Sequence, residues 1–357
     1  MFIKDLGWDA YFEALWGERV MEGCAPARVV SQQRGMWRVA GDCGECWAEP
    51  TGKLREQADE GGDWPVVGDW LLAEFRGPEH HAMIQHVLPR RSRFAREAAG
   101  RPIAQQVLAA NIDLALIVAA LDGDFNVRRI ERYLTQCWES GARPAIVLNK
   151  TDVCAEVRER VVQIERASVG VPVFPVSALT GEGMEALETS LKKGETAVLL
   201  GSSGAGKSTL VNRLLWEVRQ PMQAVREGDN RGRHTTTSRQ LFVMGNGAMI
   251  IDTPGLRELG LWNADEGLLQ TFAEVDDLAE QCRFRDCRHN KEPGCAVQAA
   301  LGSGILEVGR FENWRKLQRE QKFQLRKLDP ELKRAEKKRI KEIMRNMRQQ
   351  YKHRDKG

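Results

Sequence analysis

The run Gly201-Ser202-Ser203-Gly204-Ala205-Gly206-Lys207-Ser208-Thr209 has the residue types and spacing of a phosphate cradle, GxxxxGK[ST]. Its glycines let the backbone curl so that successive N–H groups point inward. Those groups, with the positive end of a following helix, bind phosphate oxygens. Lys207 is placed to reach the terminal phosphates and the Ser208 hydroxyl to fill one Mg2+ position. The flanks agree, because Ala197–Leu200 reads as an apolar strand and Ser208–Leu215 as a helix. A Gly-rich turn with a chance lysine is the plain alternative, and it explains neither flank. Asp252 closes another apolar strand, Gly247–Ile251, where an acidic residue ordinarily serves the Mg2+ of such a site. The Asp252-Thr253-Pro254-Gly255 turn then offers the Gly255 N–H to a γ-phosphate.

A phosphate cradle does not choose the base, but Asn149-Lys150-Thr151-Asp152 does. A carboxylate accepts two hydrogen bonds from the N1–H and N2–H2 edge of guanine, and adenine offers no such donor pair. Asp152 therefore specifies guanine, Asn149 braces the loop and meets the base edge, and Lys150 covers the ring. After the next apolar strand, Val173–Val176, comes Ser177-Ala178-Leu179, which resembles the GTPase loop whose alanine N–H contacts guanine O6. Most GTPases run phosphate cradle, switch I, DxxG, NKxD, SAx. Here NKTD at 149 and SAL at 177 precede the cradle at 201, so the domain is circularly permuted. The permutation sets the switch region directly before the C-terminal segment, which could then sense the nucleotide state.

Over about residues 25–315 the chain resembles the circularly permuted small-ribosomal-subunit biogenesis GTPases, the RsgA/YjeQ family. The resemblance implies a late assembly factor. Such a protein docks on the nearly mature 30S particle near the decoding region, hydrolyses GTP to GDP slowly alone and faster on the ribosome, and then leaves. Its partners would be the 30S subunit with its 16S rRNA, and GTP or GDP.

Ras-like enzymes carry a water-orienting Gln just after DxxG. That position here is Leu256, which cannot orient water. Arg231-Gly232-Arg233-His234-Thr235-Thr236-Thr237 lies where switch I belongs. One of its threonines is expected to bind Mg2+ and the γ-phosphate; the resemblance points to Thr236, with Thr235 also open. His234 is the candidate to position or deprotonate the water, against the plain reading of a surface-loop histidine. Lys207, Thr236 and His234 are thus the expected catalytic set.

Cys282-x4-Cys287-x-His289-x5-Cys295 supplies three thiolates and one imidazole, a full tetrahedral set for one closed, structural Zn2+. The resembled family has the same pattern. Delivery of zinc to another protein would need an open position or labile ligands, which a complete set argues against. Cys43-Gly44-Glu45-Cys46 is a CxxC without a thioredoxin-like context, and a structural reading is preferred.

These residues need elements to hold them. At 357 residues, two or three domains are expected. Residues 1–24 form an amphipathic N-terminal extension with Leu6, Trp8, Phe12, Leu15 and Trp16. Ala27–Ser31, Met36–Val39, Cys46–Glu49, Asp69–Phe75 and Ala82–Leu88 read as five short strands, an OB-type β-barrel over residues 25–92. Six of the ten Trp lie in residues 1–70, and packing explains most of them better than base stacking. Arg90 to Pro102 reads as a basic, weakly structured linker. From 93 to 262, the continuous apolar strands Leu114–Ala120, Ala145–Leu148, Val173–Val176, Ala197–Leu200 and Ala248–Ile251 alternate with helices such as Val127–Ser140 and Glu156–Ser168. That pattern is a three-layer α/β GTPase domain. Residues 263–328 form a helical zinc-binding module, and 329–357 a basic helical tail capped by Asp329-Pro330-Glu331.

Charge is unevenly spread. From Arg310 to Gly357 there are 18 Lys/Arg against 7 Asp/Glu, a net of +11, so residues 1–309 carry −8 of the total +3. The tail, with the arginines of 90–101, is expected to grip rRNA. No apolar run approaches the ~18 residues of a membrane span, the start lacks the order of a secretory signal, and eight cysteines are too sparse for a disulfide scaffold. A cytoplasmic, membrane-free monomer is expected. Sequence leaves two functions open: assembly of the 30S subunit, or a ribosome-bound GTP-dependent translation or stress regulator that does not assemble it.

Overall fold

A computed structural model of the chain describes residues 2–19, 21–33, 35–59, 64–76, 81–97, 105–215, 239–252 and 265–328. They fall into two compact units, one holding the barrel and the parallel sheet, the other the helices after residue 260. The expected tail helix, His234, Thr235, Thr236 and Gly255 lie outside the described residues.

The five barrel strands are β1 (Cys24–Gln33), β2 (Met36–Gly41), β3 (Gly44–Pro50), β4 (Trp70–Arg76) and β5 (His81–Val87). They bond in the order β1-β2-β3-β5-β4, and β4 returns to β1 to close the barrel. The β3–β5 pair is parallel, and helix α2 (Gly52–Asp59) precedes β4, as an OB-type barrel requires. Alternation sets the faces: Trp37 and Val39 of β2 point into the barrel, Met36 and Arg38 outward. Trp8, Trp37 and Trp70 are buried, whereas Trp47 and Trp64 are more than a third exposed. The N-terminal segment is part of this core. Asp9 caps helix α1 (Ala10–Gly17) by accepting from the Tyr11 and Phe12 amides, and Leu6, Trp8 and Phe12 are buried with Trp70.

The second sheet has parallel strands β8 (Leu114–Ala120), β9 (Arg143–Asn149), β10 (Val173–Val176), β11 (Thr196–Leu200) and β13 (Met249–Asp252), in the order β10-β9-β8-β11-β13. Successive residues of β8 serve opposite cores. Ala115, Ile117 and Ala119 meet α3 (Val127–Ser140) and α4 (Val157–Ala167), while Leu114, Leu116 and Val118 meet α5 (Met184–Ser190) and α6 (Lys207–Leu214). This is why the strand is apolar throughout, and it makes the three layers. The order reverses beside β8, since β9 lies on one side and β11 on the other. The crevice at their carboxyl ends is where α/β sheets bind ligands. Antiparallel β12 (Arg239–Val243) borders β13 and also pairs with barrel strand β1 through Ser31 with Gln240 and Gln32 with Arg239. Sheet and barrel are therefore continuous.

The expected linker is partly a strand: β6 (Arg93–Glu97) pairs antiparallel with β7 (Gln105–Ala110). Phe94 is buried in the core while Arg93 faces solvent, an alternation hidden among five arginines. Arg90 is not a surface cation either. Its side chain is 5% exposed and bonds both carboxylate oxygens of Asp69 at 2.7 and 2.8 Å. Arg91 pairs with Asp9 at 2.7 Å and lies 4.7 Å from the Phe12 ring centroid. Two cations expected to hold rRNA are thus paired with carboxylates of the fold, Arg90 in the interior and Arg91 at the surface.

Where these parts meet stands Arg28, almost fully buried. Its guanidinium donates to Leu6 O, to Gly68 O at 3.2 Å and to Asn111 O at 3.0 Å, and it lies over Trp70. Burial lowers its pKa to about 10, which still leaves it charged at neutral pH.

In the second unit, α7 (Asp265–Thr271), α8 (Ala273–Glu280), α9 (Ala296–Ser303) and α10 (Val308–Leu328) enclose Phe272, Val275, Val297, Phe311, Trp314 and Leu317. Arg310 ties α10 back to Glu274 and to Thr271 O at 2.6 Å.

Arg28→Met should keep the stem volume but orphan two buried carbonyls, Leu6 O and Asn111 O, since Gly68 O keeps the bond from Asn111 Nδ2 at 3.1 Å. At about 1 kcal/mol or more each, the expected loss is at least about 2 kcal/mol in urea unfolding of the intact chain; a change under about 1 kcal/mol would contradict the role given to this side chain.

Candidate functional site

Every described nucleotide motif lies at the carboxyl end of a parallel strand. β9 ends at Asn149, β10 runs into Ser177, β11 into Gly201, and β13 ends at Asp252. Ile251 pairs with Val198, so Asp252 stands one residue beyond that pair, level with Leu199 and one residue short of the end of β11.

Asn149 joins three loops. Its buried amide donates from Nδ2 to Ala205 O at 2.9 Å and accepts at Oδ1 from the Ala178 N–H at 3.0 Å. NKTD, SAL and the phosphate cradle are therefore one assembly. Glycine is required where they touch: a Cβ at Gly206, φ +88°, would lie 2.2 Å from Asn149 Nδ2. Gly201, φ +145°, is equally close to Val118 O, at 2.2 Å. The cradle then enters α6. Lys207 Nζ donates to Gly201 O at 2.7 Å and Ser202 O at 2.5 Å, centring its charge within the loop. Ser203, Gly204, Ser208 and Thr209 are exposed at the rim.

At the base end, Asp152 is exposed and its Oδ1 accepts from Ser177 Oγ at 2.5 Å. Ser177 Oγ in turn accepts from the Thr180 N–H at 3.1 Å, which fixes the hydroxyl's direction. One oxygen of Asp152 is so oriented by its own scaffold. Thr151 donates to Glu182 at 3.3 Å. Lys150 has φ +70°, and its ammonium pairs with Asp122 Oδ2 at 2.7 Å. That contact holds the Asp122 carboxyl below the usual carboxylate range.

Asp122 and Asp124 were not singled out from sequence. They lie in the loop between β8 and α3, and Asp124 Oδ2 accepts from Ser202 Oγ at 2.8 Å. The available signal was two carboxylates, two residues apart, just past the carboxyl end of a central parallel strand.

In the second unit, Cys282, Cys287, His289 and Cys295 bring their ligand atoms within 4.8 Å of one another. Cys282 Sγ lies 3.8 Å from Cys295 Sγ, and His289 Nδ1 lies 3.6 Å and 3.5 Å from those two sulfurs. A tetrahedron with metal–sulfur bonds of about 2.3 Å and metal–nitrogen bonds of about 2.0 Å has edges of about 3.8 and 3.5 Å, so the donors fit a metal ion. The scaffold aims them. Cys295 caps α9, accepting from the Gln298 N–H at 3.4 Å, and Gln298 Nε2 donates to His289 O at 2.7 Å. Burial lowers the His289 pKa, favouring the neutral imidazole that ligates. By contrast Cys46 is buried in the barrel and Cys43 exposed on the β2–β3 turn, both as free thiols.

Comparison with known proteins agrees with this geometry. A family model described as RsgA GTPase matches residues 87–262. The small ribosomal subunit biogenesis GTPase RsgA of Opitutus terrae is 45% identical over 98% of this chain and 97% of its own. The small ribosomal subunit biogenesis GTPase RsgA 1 of Listeria innocua is 40% identical over the whole of both chains. Among solved structures, YjeQ from Thermotoga maritima aligns with a TM-score of 0.62 and 27% identity, over 82% of this chain and 97% of that one. YloQ, a circularly permuted GTPase, aligns with a TM-score of 0.59 over 84% of this chain and 95% of its own; at 20% identity it speaks for the fold alone.

Replacing Cys295 by Ser removes a buried thiol of this set while its hydroxyl can still cap α9. Cys295→Ser should abolish stoichiometric bound metal, read by elemental analysis of purified protein, and lower the thermal midpoint of the second unit. Retention of one tightly bound ion per chain would contradict the ligand set.

Proposed function

The chain belongs to the RsgA family of circularly permuted GTPases and is a GTP hydrolase, and on that premise we propose that it acts on the 30S ribosomal subunit in late maturation of its 16S rRNA and leaves after hydrolysis. The observation that carries the reading is Asn149, which binds the base motifs to the phosphate cradle in a chain 45% identical to a named biogenesis GTPase.

In this reading Asp152 accepts from the guanine edge, Ala178 N–H meets O6, and the stem of Lys150 covers the ring. The amides of 201–206 and the ammonium of Lys207 take the phosphates. Mg2+ would be held by Ser208 and Thr236 with Asp252 behind them, and when bound it neutralises charge on the β- and γ-oxygens. Gly255 N–H takes a γ-oxygen, and His234 orients the attacking water in place of the absent glutamine. The Cys282, Cys287, His289 and Cys295 set holds one structural Zn2+: three thiolates with one imidazole favour zinc, and four protein donors complete its tetrahedron.

Functional assignments follow the expected boundaries: barrel 25–92, GTPase domain 93–262, zinc module 263–328 and rRNA-binding tail 329–357. The ribosome stimulates hydrolysis, and the protein works as a cytoplasmic monomer. No described helix is long and apolar enough to cross a membrane.

Two experiments test this. A deletion strain run on sucrose gradients should accumulate free 30S particles with unprocessed 16S rRNA; a normal profile with altered translation would favour the regulator instead. In single-turnover reactions on 30S subunits, His234→Ala should slow hydrolysis about 100-fold or more with binding unchanged, the scale expected for a lost general base. A wild-type rate would remove that role.

A further inference from the structure

The segment Asp122-Gly123-Asp124 belongs to no nucleotide motif, yet each of its carboxylates is bonded to a different one. Asp122 Oδ2 accepts from Lys150 Nζ of the base motif at 2.7 Å, and Asp124 Oδ2 accepts from Ser202 Oγ of the phosphate cradle at 2.8 Å. We propose that this loop is the positioning element that registers the base half of the site against the phosphate half, with Asp122 aligning Lys150 and Asp124 aligning Ser202.

The loop is stiff enough for this work. At its start, the Leu121 N–H donates to Asn149 O at 2.8 Å, so it begins bonded to the end of β9. Across its middle, Asp122 Oδ1 accepts from the Asp124 N–H at 3.0 Å and Asp122 O from the Phe125 N–H at 3.1 Å, a closed turn. At its end Asn126 caps α3 by accepting from the Arg129 N–H at 3.1 Å. The Asp122 carboxylate is tied to the turn by the Asp124 N–H, and the Asp124 carboxylate is held by Arg129 as well as by Ser202.

Charge explains why two acids can stand beside a site meant for phosphates. Alone, each would repel the ligand. Lys150 neutralises Asp122, and Arg129 forks onto Asp124 with NH1 to Oδ1 at 3.1 Å and NH2 to Oδ2 at 2.7 Å. What remains is orientation without net repulsion. A lysine stem free in solvent would have to be ordered when a base slides beneath it. Fixing the ammonium to Asp122 takes that ordering out of the binding step, which is preorganisation.

The inference rests on Asn149–Asp152 being the base site, and the test separates the two. Full-length protein is titrated with a fluorescent GDP, and unlabelled guanosine and GDP compete. Asp122→Asn should weaken guanosine and GDP by the same factor, about tenfold, as expected for loss of a charge-assisted contact. Ser202→Ala should weaken GDP and leave guanosine unchanged, because the nucleoside has no phosphate. Asp122→Asn combined with Lys150→Met should be no weaker than Lys150→Met alone, since both remove one interaction. Asp122→Asn binding within about twofold of wild type would overturn the inference and spare the base site. So would multiplicative losses in the double variant, or equal loss of guanosine in Ser202→Ala, the mark of a merely structural loop. Wild-type protein that ignores guanosine and GDP would overturn the base site, and the inference with it.

Discussion

A guanidinium whose bonds, among the described residues, go to carbonyls and not to a carboxylate is an expensive thing to bury, and the larger compact unit is organised around one. Arg28 leaves water and takes carbonyls from the N-terminal segment, the barrel and the loop entering β8. Because a buried charge must find its bonds, these three segments have one low-energy mutual arrangement. The Trp70 ring over the guanidinium and the close packing of Trp8 and Phe12 on that ring follow from it. An N-terminal stretch that would otherwise be a loose lead-in becomes a wall of the core.

The nucleotide site repeats the logic with a neutral group. One buried amide, Asn149, is bonded to the cradle on one side and to SAL on the other. It works because the parallel sheet presents all its strand ends on one edge, so residues 149, 178 and 205 are near neighbours. Circular permutation is tolerated for the same reason: the bonds are made across the sheet edge and do not depend on the order in which the strands are connected.

The features legible in sequence were those whose physics is local. GxxxxGK[ST] needs only its own glycines, and β8 announces itself because both faces are buried. Its span, and that of α3, agree to the residue with the sequence reading. Five barrel strands were visible through alternation and turn residues. The rest failed where the deciding partner is distant in sequence. Arg90 belongs to Asp69, and Arg91 to Asp9 across 82 residues, so a basic run read as a weakly structured linker when part of it is core and strand. Ser202 meets Asp124 across 78 residues, a contact no spacing rule announces. Those bonds exist because the sheet closes, and the sheet closes for reasons of packing.

The ladder between β1 and β12 is small, yet it changes what kind of joint the barrel makes. Apolar surfaces held together only by burial can slide or roll with little penalty. A shared ladder cannot, because a slip of one residue turns every side chain on the strand to the opposite face and would push Ser31 out of the interior. Barrel and GTPase sheet are meshed like rack and pinion: their relative position is discrete, set by counting residues, and any displacement between them must be a bend of the shared ladder.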